Sequence, residues 1–127
     1  MKLKDCLLTL NQLTSKGYST QNNMITRVDV DTIAHFGNVN CLEIECEHIT
    51  PYHSFNNTRN LGYLIRALVV LFEQEREDGV RLSEIKNVPC RLVFNTSTVA
   101  FGSRAIGIGH YMKDKFILFE DFYKIDE

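Results

Sequence analysis

The sequence predicts an α+β fold: a mostly antiparallel sheet, one long amphipathic helix packed on a face, and a further helix at the N-terminus. Three observations carry that prediction. Leu42, Ile44 and Cys46 alternate with Glu43, Glu45 and Glu47, the period of two that marks a half-buried strand. Leu61, Leu64, Ile65, Leu68, Val69 and Phe72 recur at steps of three and four, the stripe of a helix lying on a core. After Pro89 the period returns to two, with Cys90, Leu92 and Phe94 on one side.

The elements follow in order. Leu3, Cys6, Leu7, Leu10 and Leu13 predict one helix over residues 1–17, which Lys16-Gly17 can terminate. The polar run Ser19 to Asn23 reads as a link. Val28 and Val30 alternate with Arg27, Asp29 and Asp31, so a strand is expected from Ile25 to His35. A second strand, from Cys41 to Ile49, pairs with it as a hairpin through Phe36 to Val39. Pro51 and the polar residues His53 to Asn57 read as a loop. Asn57 or Thr58 can cap the long helix, Asn60 to Glu77, which Gly79 would end. The carboxylates Glu73, Glu75, Glu77 and Asp78 sit where the helix dipole disfavours them. Ser83 to Asn87 supplies one capped turn, with Asn87 tolerating the left-handed conformation. Pro89 then opens a strand, and Thr98 to Phe101, Ala105 to Met112 and Phe116 to Phe119 give further apolar runs.

A chain of 127 residues is expected to form one domain, 1–127. That length buries roughly two-thirds of the unfolded surface without a metal or disulfide staple. Residues 1–58 carry four Lys or Arg against six Asp or Glu, and residues 59–127 carry ten against ten. Neither part has the clustered cations that displace counterions from a phosphate backbone, so direct nucleic-acid binding is not expected. No apolar run reaches the ~20 residues of a membrane span, and Thr9, Asn11 and Gln12 interrupt the N-terminal one before a secretory core forms. The expected location is the cytoplasm of the cell that makes the protein. Cys6, Cys41, Cys46 and Cys90 are accordingly expected as free thiols.

Four constellations carry candidate chemistry. Cys41, Cys46, His48 and His53 are the densest set of possible metal ligands, but five residues separate the cysteines, which puts them on opposite sides of a strand. Gly107-Ile108-Gly109 lacks the third glycine and following helix of a dinucleotide fingerprint, and the glycines are expected to admit a neighbouring element instead. His110 has Lys113 and Asp114 nearby but no nucleophile elbow, so no catalytic residue, metal or cofactor is assigned. The fourth set is Asp29, Asp31, Glu43, Glu45 and Glu47. With the valines and Leu42, Ile44 and Cys46 turned inward, all five carboxylates emerge on one hairpin face, where like charges on neighbouring strands repel. Solvent, Arg27, a divalent cation or a basic partner can offset that repulsion. The functional reading is an acidic docking surface for a basic protein. The rival reading is a small metal-dependent enzyme or metal-binding protein using Cys46, His48 and nearby acids.

Taken together, "LGYLIRALVVLF", "LSEIKNVPCRLVF" and "AIGIGHYMKDKF" resemble a widespread set of small tailed-phage and prophage proteins. These close on a block of Gly, His or Asn, any residue, Leu or Met, Lys and Asp, then an aromatic. Gly109, His110, Met112, Lys113, Asp114 and Phe116 occupy that block, with Asn87 where the family often has Gly and Phe116 where it often has Trp. The resemblance covers residues 24–122 and leaves the leading helix as an addition. It implies origin and fold more than function, with no particular activity, target or oligomeric state. Because many small phage proteins act on host or defence machinery, the expected role is a phage or prophage accessory protein that binds a host or defence protein.

Overall fold

A computed structural model of the chain describes residues 3–33, 39–47, 52–55, 58–73, 82, 85–96 and 105–123. Among them the fold is α+β. Six antiparallel strands, β1 (Ser19–Ile33), β2 (Val39–Cys46), β3 (Tyr52–Phe55), β4 (Val88–Phe94), β5 (Ala105–His110) and β6 (Phe116–Leu118), form one sheet in the order β3-β2-β1-β4-β5-β6. Two α-helices accompany it, α1 (Leu10–Ser15) and α2 (Thr58–Leu71).

Strand β1 joins the two halves of the sheet. Its first half, Ser19 to Ile25, pairs with β4, and its second, Ile25 to Ile33, pairs with β2. The polar run Ser19 to Asn23, expected as a link, is therefore strand. A ladder of main-chain hydrogen bonds places no demand on side-chain polarity, and Gln21 and Asn22 are exposed. Ile25 and Val28 are both buried although three residues apart, a spacing that a regular strand forbids. The register explains it: Ile25 lies opposite Cys46 and Arg27 opposite Glu45, so Thr26 is the extra residue of a bulge. The Thr26 hydroxyl donates to the Glu45 carbonyl at 2.9 Å and secures the irregularity.

The stretch after Pro51, expected as a loop, supplies β3, with Tyr52 opposite Glu43 and Phe55 opposite Asn40. Helix α2 buries Leu61, Leu64, Leu68, Val69 and Phe72 as the stripe requires, with Ile65 partly covered, and it adds Ala67 and Leu71. The expected helix over 60–77 was too long. Alpha-helical geometry stops at Leu71, and Glu73 takes the left-handed conformation (φ 58°) that closes a helix end. Gly79, Ser83 and Thr98 to Phe101 lie outside the described residues. Asn87 has the expected positive φ, 57°.

The sheet has a core on each side. On one, α2 packs with Ile25, Val28, Leu42, Ile44, Cys90, Leu92, Ile108 and Ile117. On the other, Leu13 packs with Val93, Phe116 and Leu118. This division corrects the single N-terminal helix. The segment is a 3-10 turn (Leu3–Cys6), an extended step at Leu8, and the short α1. Cys6 enters the α2 side and Leu13 the opposite side, while Leu7 and Leu10 remain 38% and 39% exposed. Two interactions break the helix, one distant and one local. Leu8 exchanges main-chain hydrogen bonds with Phe116 at 2.8 and 2.9 Å, which closes the outer edge of β6. Thr9 and Gln12 form a capping box that restarts the helix at Leu10. Cys6, Cys46 and Cys90 are buried thiols outside any disulfide.

Candidate functional site

The β1–β2 register brings the hairpin acids together. Val28 lies opposite Ile44 and Val30 opposite Leu42; alternating with these pairs, Arg27 faces Glu45 and Asp29 faces Glu43. Opposite residues share a face, so the outer side of the hairpin carries a row of charges. Arg27 sits at its centre, 2.7 Å from Asp29, 3.3 Å from Glu45 and 3.8 Å from Glu43. The hydrogen bond to Glu45 first, then the charges of Glu45, Asp29 and Glu43, raise the Arg27 pKa against desolvation. Asp29, Glu43 and Glu45 nonetheless keep 48%, 31% and 45% of their side chains open to water. Glu47 is exposed at the end of the row, where its amide donates to the Met24 carbonyl and its carbonyl accepts from Asn23. Asp31 stands opposite Cys41 in the backbone register; its side chain lies outside the described residues.

A groove of about 360 Å³ runs beside this face, lined by Thr26, Arg27, Val28, Asp29, Leu82 and Lys86. Four consecutive residues of one strand can line a groove only along the strand's edge, because alternate side chains point to opposite faces. The groove begins where the β4 ladder stops, at Ile25 opposite Val88. It was not legible along the chain, since Leu82 and Lys86 are brought to β1 by the turn before β4.

Among the described residues no group of three or more His, Cys, Asp or Glu is placed to hold an ion, and of Cys41, Cys46, His48 and His53 only the Cys46 side chain is among them. Cys46 is buried and hydrogen-bonded to Cys90, and that bond, with burial, pushes the Cys90 thiol well above its ordinary value. His48 lies outside the described residues, and of His53 only the backbone register, opposite Leu42, is described.

The block from Gly109 to Phe116 forms the β5–β6 turn, and its residues hold one another. Gly109 lies between Arg91 of β4 and Phe116 of β6 in the register. A Cβ on Gly109 would collide with the Phe116 ring, so the glycine is what lets that ring lie across β5. The Arg91 guanidinium covers the ring at 4.4 Å and donates to the carbonyls of His110 and Lys113, each at 2.8 Å. His110 Nδ1 accepts the amides of Met112 and Lys113, both at 3.0 Å, and its ring stacks on Phe72. Asp114 accepts the Leu10 amide at 2.6 Å. Lys115 donates to the Val70 carbonyl at the end of α2 and pairs with Glu73, to which Lys113 also donates. The hydrogen bond from Lys113, then the two lysine charges, hold the Glu73 carboxyl below its ordinary pKa. Tyr111 and Met112 are exposed at the tip. Most of these partners were not legible in sequence, because they lie 19 or more residues away along the chain.

No helix among the described residues is long and apolar enough to cross a membrane. Against known protein families, curated proteins and solved structures, the chain finds no match.

Proposed function

We propose that the chain is a non-enzymatic phage or prophage accessory protein that binds a basic surface of a host or defence protein in the host cytoplasm. The outer face of the β1–β2 hairpin is its docking surface, with Asp29, Asp31, Glu43, Glu45 and Glu47 as the contacting acids. It is carried by a single domain whose one long amphipathic helix packs on the opposite face. The reading involves no nucleic acid, membrane, metal or cofactor.

The observation that supports it is the cluster around Arg27. Carboxylates directly across a strand pair repel by tenths of a kcal/mol, and here one guanidinium offsets three of them. The face therefore holds its acids in a defined arrangement and retains an excess of negative charge, and such a field steers and orients a cationic partner. The test is the triple substitution Glu43→Gln, Glu45→Gln, Glu47→Gln, used for affinity capture from host lysate and then for titration of the captured partner. The expected outcome is an unchanged urea midpoint with partner binding weakened and its salt dependence flattened. Equal binding by both proteins across the salt series removes the hairpin from the interface.

A further inference from the structure

We propose that the β5–β6 turn is a pH-operated latch: protonation of His110 releases residues 111–115 from the end of α2. His110 Nδ1 accepts two main-chain amides, those of Met112 and Lys113. Both donors are backbone N–H groups and cannot reverse, so Nδ1 carries the lone pair and the ring proton sits on Nε2. A second proton on the ring would point at two donors, and both hydrogen bonds would be lost together.

The surroundings add to this effect. Lys113 and Lys115 face the ring from its own turn, Arg91 from β4, and Glu73 from the end of α2; Phe72 of that end stacks on the ring, and Cys90 is its register partner. Three cations against one carboxylate make an imidazolium unwelcome. Burial first, and then Lys115, hold the His110 pKa below its ordinary value.

What the latch secures is the helix end. Through the turn, Lys115 reaches the Val70 carbonyl and both lysines reach Glu73. The last carbonyls of a helix have no partners within it and favour cations, and here another element supplies them. The sign follows from linkage. A base that binds its proton less readily when folded contributes stability that is full above its unfolded pKa, near 6.5. That contribution is lost as pH falls through the lowered folded value. Glu73 titrates in the more acidic carboxylate range, so the two steps separate.

The test uses the full-length protein, isotopically labelled, from pH 8 to pH 5. The imidazole resonances of His110 and the exchange protection of the Met112 and Lys113 amides are followed together. Protection, corrected for the intrinsic pH dependence of exchange, is expected to fall about tenfold along the His110 titration, as suits two lost hydrogen bonds. In His110→Asn the side-chain oxygen can take the place of Nδ1 and has no proton to gain, so protection should stay level over the same range. Imidazole titration with undiminished amide protection in the wild-type protein overturns the proposal, whatever the variant does. Parallel loss in His110→Asn overturns it as well.

Discussion

On the β1–β2 hairpin, Arg27 is held by carboxylates of its own face, whereas at the β5–β6 turn Arg91 of β4 reaches main-chain carbonyls of the turn and Lys115 reaches one at the helix end. Both regions concentrate charge at the surface, but the charges differ in what they hold. Arg27 and its acids bind one another across two adjacent strands and leave the carboxylates half open to water. Arg91 ties β4 to the turn, and Lys115 ties the turn to α2. Removing an exposed ion pair costs little, because water and salt replace it. Removing a cation that bonds carbonyls of separate elements takes a charge-assisted partner from those acceptors and unfastens the elements. The first arrangement suits a surface that exchanges partners and the second suits a clasp.

Substitutions along the two regions sharpen that contrast, beginning with the largest. Phe116 is fully buried between Gly109 and Arg91 and bonds Leu8 at the sheet edge. Phe116→Ala is expected to cost about 3–5 kcal/mol of unfolding free energy in urea. Gly109→Ala adds a methyl against the same ring, for about 1–3 kcal/mol. Combined with Phe116→Leu, it should cost less than the sum of the two, because the ring it strikes has gone. Arg91→Lys keeps the charge but loses the planar fork that spans two carbonyls and a ring, for about 1–2 kcal/mol. Arg27→Met belongs at the bottom of the series. Its urea midpoint at moderate salt should match the wild type, with a new dependence on salt as the unpaired acids are screened. A large loss of stability in Arg27→Met, or none in Arg91→Lys, would erase the distinction between the two regions.

The alternating acids and aliphatic residues of β2 were legible because a period of two survives in any half-buried strand. The stripe on α2 was legible for the same kind of reason. Where the readings erred, a local interaction or a distant partner decided. The N-terminal apolar residues have helical spacing, yet Thr9 caps a new helix and Leu8 pairs with Phe116, so Cys6 and Leu13 part to opposite faces. Ser19 to Asn23 has no strand pattern, and β4 made it a strand. Glu73 closes α2 early, with lysines from a segment 40 residues away beside it. The hairpin acids were identified individually, but the role of Arg27 among them needed the register and the bulge at Thr26.

By itself the sequence determined the fold class, the inward faces of β2, α2 and β4, and the presence of an acidic ribbon, because side-chain periodicity is a property of neighbours along the chain. Only the tertiary structure decided the strand order, the divided N-terminal segment, the groove beside β1 and the clasp at His110. Those depend on which distant groups complete each other's hydrogen bonds, and a one-dimensional pattern holds no record of that choice.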